Sequence, residues 1–541
     1  MGSGRWPTRV EPDWESMRFF LIRALQEGFD PVEKAYVESA PLFKLAKMVL
    51  AHPVSLEDLF YMSYNDYVVN ILYYTLYAGS SVGWSSVMEV LKAARRIGLS
   101  KDAPLIAAHA LPGWRMAAEL LAEYPVTKMR LYLHMARKQS ELKVRLGYGE
   151  RKRKAVAEAI ASKPLKWHEF QAIKYPRAFR DTLRMAHPKP PNSEVARIWG
   201  YVVNRNPPPT PRLEVYDMII KGRLRGPEAV EAAIANDLPW EVLRSRVGGL
   251  DELDDSLIAE AARRIMSGHD LAMQALTIAR VLGDARATSI IEARATQGTV
   301  IPAYAAARAA LGLYVKGFKR TAWLMARLAS RSTERLWGLL KSAGLSWDRI
   351  YYLVDVSGSM AGSPIKAAAR ILLAMDPREA YIFNDCINVS RIRLASLDDY
   401  IRLLREPGCG TPLYDSILYM LTEVLEPGNM LVVITDEQEN VSTTSMTNLV
   451  NTIERKGVWV AVIQVAPYPV DMIAKQPIAR AVGLPGSSPE AVIAAATLLA
   501  LTREAGGQSI GVADERVLEI AKKVLSASST LETSAYSLQA W

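Results

Sequence analysis

The chain has 541 residues, of which 50% are hydrophobic and 23% are charged. This composition excludes global disorder, and the length exceeds one ordinary hydrophobic core, so we expect two or three globular domains. The net charge is +9, but residues 346–541 carry −6 while the 345 residues before them carry +15. The uneven charge indicates two modules with different partners, and the basic module is the candidate for binding a polyanion. A basic surface that serves only solubility is the alternative.

The cysteine content and the apolar runs predict where the protein works. Two cysteines, Cys386 and Cys409, make no disulfide framework and are typical of a reducing interior. Together with the six histidines they form no metal-binding cluster in the sequence. The first nine residues lack the apolar core of a signal peptide, and the longest apolar runs, Val458–Ala466 and Ala491–Leu501, are too short to span a bilayer. We therefore predict a cytoplasmic protein without membrane contact.

Residues 13–345 repeat apolar side chains at steps of three and four, which is the spacing of amphipathic helices. Short Pro, Gly and Ser breaks separate the segments. Many helices in a row predict an α-helical solenoid. The proline-rich run from Asn206 to Pro211 cannot be helical and predicts an internal joint. Clear examples of predicted helices are Trp14–Gln26, Pro31–Leu50, Val87–Ile97, Trp114–Glu123, Lys128–Leu146 and Arg151–Ser162.

Near residue 346 the pattern changes to short apolar runs that alternate with helical segments. Strands buried on both faces and separated by helices predict a doubly wound α/β sheet over residues 346–510. Residues 511–541 predict one further helix, from Ala513 to about Leu525, and then a Ser/Thr-rich tail. The predicted strands are Ile350–Val354, Ala380–Phe383, Met430–Thr435 and Val458–Ala466.

Oxygen-bearing side chains follow two of these strands. Asp355, Ser357 and Ser359 come directly after the first, and Asp436 follows the third; Thr411 lies in a loop that opens a predicted helix. Ligand sites of such sheets lie beyond the carboxyl ends of the strands, so we expect these groups to converge. Carboxylate and hydroxyl oxygens suit Mg²⁺, with Mn²⁺ or Ca²⁺ as alternatives. Taken alone, an Asp-x-Ser-x-Ser pattern is often a turn or a helix cap.

This pattern resembles the metal-ion-dependent adhesion site of von Willebrand factor A domains, over about residues 346–510. The resemblance implies an open metal position that accepts an acidic group of a partner protein. A phosphatase that forms an aspartyl-phosphate would need a second Asp where Ser357 stands, and no phosphate-binding Gly-rich loop ending in Lys-Ser/Thr is present. We therefore expect neither enzyme activity nor a nucleotide cofactor. The implied metal ligands are Asp355, Ser357, Ser359, Thr411 and Asp436.

Basic side chains repeat at helical spacing in the first module. Arg177, Arg180, Arg184 and His187 follow one another at steps of three, four and three, which predicts one face of a helix. Arg151 to Lys154 are four basic residues that open another predicted helix, where they oppose the helix dipole and a phosphate partner would offset the cost. Such faces neutralise phosphates without reading sequence. A solvated charged face is the alternative.

Motifs in this region resemble the Ro autoantigen family, whose helical module is called TROVE. They are Gly147-Tyr148-Gly149 with the basic run after it, the pair Lys174-Tyr175, and the segment from Asp181 to Pro190 with its His-Pro-Lys-Pro ending. Family members join a HEAT-like helical ring, here residues 1–345, to a carboxyl-terminal von Willebrand A domain in a chain of about this length. The resemblance therefore spans nearly the whole sequence.

The resemblance implies binding of small structured or misfolded noncoding RNAs, in RNA quality control or ribonucleoprotein assembly. By position it implicates Lys174, His187 and Arg177. The metal domain would then engage a protein with an acidic group, such as a ribonuclease. The alternative is a helical scaffold that grips a partner's carboxylate and has no RNA role. The full set of predicted RNA contacts is Arg151, Lys152, Arg153, Lys154, Lys174, Arg177, Arg180, Arg184, His187 and Lys189.

Overall fold

The structure is a computed structural model of the chain. The predicted helix Trp14–Gln26, the start of the predicted helix Pro31–Leu50 and the end of the Ser/Thr-rich tail lie outside the residues that it describes. Within the described part, no helix is long and apolar enough to cross a membrane. The described residues are 40–51, 65–100, 102–137, 149–243, 253–439, 441–466, 480–505 and 510–532.

Helices follow one another through the first module, as the apolar spacing predicts. The proline-rich joint is confirmed as the break between α10 and α11, except that its last residue, Pro211, begins α11. The Thr210 hydroxyl caps α11 by accepting a hydrogen bond from the Leu213 amide at 3.3 Å. The helices are α1 Pro41–Ala51, α2 Asn65–Ser81, α3 Trp84–Ile97, α4 Ala103–Ala107, α5 Trp114–Leu121, α6 Val126–Arg137, α7 Glu150–Ala161, α8 Leu165–Lys174, α9 Pro176–Ala186, α10 Ser193–Asn204, α11 Pro211–Ile220, α12 Gly226–Ala235, α13 Asp255–Arg264, α14 Gly268–Leu282, α15 Asp284–Thr296, α16 Ala303–Val315 and α17 Lys319–Ser342.

A six-stranded sheet follows, with the strand order β3-β2-β1-β4-β5-β6. All neighbouring pairs are parallel except β2 with β3, which is antiparallel. The fold class is therefore the predicted one, a helical solenoid followed by an α/β sheet. The elements are β1 Ile350–Asp355, α18 Ser363–Met375, β2 Glu379–Asn384, β3 Asn388–Arg393, α19 Leu397–Leu403, α20 Leu413–Tyr419, β4 Met430–Thr435, α21 Met446–Lys456, β5 Trp459–Gln464, β6 Ala481–Pro485, α22 Pro489–Ala505 and α23 Ile510–Glu532.

The sheet is covered on both faces, which explains why its central strands are apolar throughout. On β1, Leu353 belongs to the core that includes residues of α20 and α21, whereas Val354 belongs to the core that includes residues of α18 and α22. This alternation follows from the opposite directions of successive side chains on a strand. Both residues are fully buried.

The chain closes on itself through its last two helices. Helix α23 packs against α1, α3 and α17, and helix α22 packs against α1. Asp514 of α23 is buried and accepts a hydrogen bond of 2.8 Å from the backbone amide of Phe43, near the start of α1. Helix α23 is also longer at both ends than the predicted span from Ala513 to Leu525.

Candidate functional site

The five predicted metal ligands lie in three loops at the carboxyl end of the sheet. Asp355 ends β1 and Asp436 directly follows β4, the two adjacent strands at which the strand order reverses. Ligand sites of doubly wound sheets lie at this reversal. The loop of Thr411 is joined to the first loop by a hydrogen bond of 2.9 Å from the Gly358 amide to the Cys409 carbonyl.

Asp355 is held in one orientation by its neighbours. Its Oδ1 accepts a hydrogen bond from the Ser357 amide at 2.8 Å, and its Oδ2 accepts one from the Thr435 hydroxyl at 2.7 Å. The side chain is fully buried, and this burial raises the pKa of Asp355 to about 6 against the lowering effect of those two hydrogen bonds. The nearby charge of Asp436 raises it further. The site thus concentrates negative charge away from water.

The residues present fit a hard divalent cation. Asp436 is fully buried, and its Oδ2 has no hydrogen-bond partner among the described residues, which leaves an acceptor for which a cation would compensate. The Ser357 and Ser359 hydroxyl oxygens lie 3.1 Å apart, and Thr411 is buried beside them in the neighbouring loop. Two carboxylates and three hydroxyls form the oxygen-only donor set that Mg²⁺ prefers.

Two further buried polar residues at the end of β4 were not predicted from the sequence. Thr435 orients Asp355, and its hydroxyl also accepts a hydrogen bond of 2.9 Å from the Glu437 amide. The Glu437 side chain is 3% exposed and follows Asp436 directly, so a third carboxylate lies buried in the same loop. The Thr-Asp-Glu sequence at the end of an apolar strand was the available signal.

The cysteines correct one expectation. Cys386 and Cys409 form a disulfide, with their Cα atoms 6.1 Å apart, although two cysteines were expected to make no disulfide framework and to indicate a reducing interior. The bond joins the turn between β2 and β3 to the loop that precedes Thr411. Together with Asp385 the two cysteines also form a cluster that the sequence pattern did not reveal.

The basic residues of the first module lie on neighbouring helices. Helix α9 packs against α6 and α7 and includes Arg177, Arg180 and Arg184, whereas His187 caps its end in a left-handed conformation with φ 50°. We define the α9 basic face as Arg177, Arg180, Arg184 and His187. Three of its four members are exposed and Arg180 is half-buried, while Phe179 and Thr182 on the opposite side of the helix are buried. Lys189 is exposed just beyond the helix.

The remaining predicted contacts on α7 and α8 differ in their surroundings. Lys154 is exposed and pairs with Glu150 at 2.9 Å, Arg153 is half-buried, and the Arg151 guanidinium donates to the Leu111 carbonyl at 2.8 Å. The prediction that Lys152 contacts RNA is wrong, because this residue is 5% exposed and does not belong to the surface that would meet RNA.

Burial, together with the charge of Arg151, lowers the pKa of Lys152 to about 7.

Lys174 is half-buried and forms an ion pair of 3.0 Å with Glu241. Its ammonium also lies over the rings of Phe170 and Tyr175, at 5.5 and 5.7 Å from their centroids. A phosphate would therefore have to compete with Glu241 for this side chain.

No protein-family model and no curated protein matches the chain. Among solved structures, the crystal structure of the Ro (RSR) protein of Deinococcus radiodurans matches with a TM-score of 0.53 and 17% sequence identity. The match covers 85% of this chain and 100% of that chain. The protein therefore shares the fold of a Ro protein, a helical module followed by an α/β domain.

Proposed function

We propose that this chain is a member of the Ro family and binds noncoding RNA through the α9 basic face. The observation that carries the proposal is the position of this face, an exposed basic stripe on a helix of a module that shares its fold with a Ro protein. Two of the motifs that resemble the Ro family lie on or beside this helix, because Lys174 and Tyr175 directly precede it and the segment from Asp181 to Pro190 begins on it.

Charge supports the same conclusion. The first 345 residues carry +15, and basic residues on α6, α7 and α9 lie on helices that pack together. Arg130 on α6 joins this surface through its 3.0 Å ion pair with Asp181 of α9. Clustered guanidinium groups bind phosphates through backbone charge and the shape of the RNA, with modest base preference.

For the α/β domain we propose a Mg²⁺ or Mn²⁺ site in which Asp355, Ser357, Ser359, Thr411 and Asp436 hold the ion, some of them through water. The bound ion would offer its open position to an acidic group of a protein such as a ribonuclease. We propose no enzymatic reaction for this domain. We propose a cytoplasmic location for the whole protein. Supporting the metal is the buried Oδ2 of Asp436, which has no hydrogen-bond partner in the described structure.

A second candidate function is favoured by the same unpartnered Oδ2 of Asp436 in the described structure. If the α/β domain alone carries the function, the helical module is a scaffold and the metal grips a partner's carboxylate without RNA. The two candidates differ in one measurable property, because only the first predicts specific affinity of the full chain for RNA.

The test is the affinity of the full chain for a labelled single-stranded RNA and for a labelled hairpin RNA, measured by fluorescence anisotropy over a range of salt. We expect binding whose logarithm falls linearly with the logarithm of the salt concentration, since counterions are released from the phosphates. No binding at moderate salt in a folded protein would overturn the RNA proposal and leave the scaffold candidate.

A further inference from the structure

Two cysteines and a carboxylate meet beside the oxygen-rich site but outside it. Asp385, Cys386 and Cys409 are exposed, and their potential ligand atoms all lie within 4.8 Å of one another. We infer that this cluster, once its disulfide is reduced, is a second metal site that takes a thiophilic divalent cation such as Zn²⁺. The inference does not depend on RNA binding or on the proposed Mg²⁺ site.

The backbone holds the two cysteines together by hydrogen bonds that do not need the disulfide. The Asn384 side chain accepts bonds from the Cys386 and Ile387 amides, at 3.1 and 2.9 Å, and donates one of 3.1 Å to the Gly408 carbonyl. Asn384 thus bridges the two cysteine-bearing segments, and it is 4% exposed. Breaking the sulfur–sulfur bond would leave this bridge in place, so both thiols should stay at the site.

Asp385 is held against the same loop. Its Oδ1 accepts a hydrogen bond from the Gly410 amide at 2.6 Å, and its own amide donates to the Gly410 carbonyl at 3.2 Å. A Cβ at position 410 would lie 2.8 Å from Asp385 Oδ2, so this carboxylate lies close against the backbone of Gly410. Oδ1 is therefore engaged by the loop, which leaves Oδ2 as the ligand atom.

The donor set decides the class of metal. Thiolates bind Zn²⁺ at about 2.3 Å and carboxylates at about 2.0–2.2 Å, so a tetrahedral ion needs ligand atoms roughly 3.5–3.8 Å apart. The three ligand atoms lie within 4.8 Å of one another while the two sulfurs are still bonded to each other. Reduction frees the sulfurs to separate to the spacing of a tetrahedral ion, and the exposure of the cluster supplies water as the fourth ligand. Soft sulfur ligands exclude Mg²⁺ from this site, whereas the oxygen ligands of the neighbouring loops favour it.

The chemistry balances in two steps. A dithiol reductant transfers two electrons to the disulfide; the sulfur–sulfur bond breaks, each cysteine sulfur gains a proton, and the reductant leaves as its own disulfide. Zn²⁺ then forms two bonds to sulfur and one to the Asp385 carboxylate, and the two thiol protons pass to solvent. The oxidised chain has no thiol left, because Cys386 and Cys409 are its two cysteines.

The experiment titrates the full chain with Cd²⁺, a spectroscopic substitute for Zn²⁺, and follows the ultraviolet thiolate-to-metal charge-transfer band. Because the chain has two cysteines, any such band reports on this cluster. We expect a band that saturates at one metal per chain after reduction and removal of the reductant. No band should form in the oxidised protein, and Cys386→Ser or Cys409→Ser should reduce its amplitude and weaken binding.

The Asp385→Asn variant distinguishes a metal site with three protein ligands from one formed by the two thiols alone. Loss of even an outer-shell partner weakens metal binding by about 10–100-fold, so Asp385→Asn should weaken Cd²⁺ binding by at least about tenfold. The matched control is Glu406→Gln, which removes an exposed carboxylate from the same loop outside the cluster and should leave binding unchanged. A reduced wild-type chain without the band, half a metal per chain, or equal affinities of the Asp385→Asn variant and the wild type would overturn the inference.

Discussion

The Thr435 hydroxyl donates a hydrogen bond of 2.7 Å to Asp355 Oδ2, and this bond joins the ends of the adjacent strands β4 and β1. With the Ser357 amide on Oδ1, both oxygens of Asp355 have a donor, whereas Asp436 Oδ2 has none among the described residues. The two carboxylates therefore have different roles. Asp355 is fixed by the protein, and Asp436 presents the oxygen whose charge is uncompensated.

We expect Asp436→Asn to weaken Mg²⁺ binding by at least about tenfold, since it removes the charge of that oxygen at constant volume. Isothermal titration calorimetry on the full chain measures the affinity. Asp348→Asn is the control, because Asp348 is exposed just before β1. Equal Mg²⁺ binding by the two variants would contradict the proposed metal site.

We expect the RNA and metal sites to be separable. Helix α9 packs against α6, α7, α8 and α10, all of them in the helical module. Asp355→Asn should therefore leave RNA affinity within about threefold of the wild type, which is less than about 1 kcal/mol. Anisotropy titration with the same labelled RNA measures the change. A larger loss in a folded variant would show that the two modules are coupled.

The contact between α23 and α1 should stabilise the fold. Asp514 accepts the Phe43 amide at the start of α1, where amides lack partners within the helix. Asp514→Ala should lower the free energy of unfolding by about 1 kcal/mol, the typical cost of losing a helix cap. Asp514→Asn keeps an acceptor and should lower it less. Thermal denaturation compares the variants, and an unchanged midpoint in Asp514→Ala would contradict the contact.

Lys152 should make stability depend on pH. Its pKa in the folded chain is lowered to about 7 by burial, against 10.5 for the ordinary side chain. Between these values the unfolded chain binds more protons than the folded chain, so the free energy of unfolding rises with pH across this window. Lys152→Met should flatten that rise, measured by denaturant unfolding between about pH 7 and 10. An equally steep rise in the variant would show that Lys152 is not the cause.

The sequence predicted the helices and the central strands well, for a physical reason. Buried strands such as Met430–Thr435 are apolar throughout, and helices such as α9 alternate buried and exposed residues at helical spacing. Strand β3 was not predicted, because it is an exposed edge strand with the polar sequence Asn-Val-Ser-Arg-Ile-Arg. Strand β6 was also missed, since five residues with a glycine and a proline carry little signal.

The candidate sites were predictable only where side chains share a loop or a helix face. Asp355, Ser357 and Ser359 are close in sequence, and strand order brought Asp436 to them. Burial of Lys152 was not predictable, since its neighbours Arg151 and Arg153 are equally basic and the helix face that packs inward depends on tertiary contacts. The Cys386–Cys409 disulfide depends on the turn between β2 and β3, which was not predicted either.

The most direct test of RNA binding compares two triple variants of the full chain. Arg177, Arg180 and Arg184 are changed together to Gln, and the control changes the exposed Arg280, Arg286 and Arg308 on α14, α15 and α16 in the same way. Each phosphate contact contributes about 0.7–0.9 to the slope of log affinity against log salt, so the α9 variant should show a slope shallower by roughly two. The control should change it less. Equal affinities and slopes in the two variants would contradict a binding site on α9.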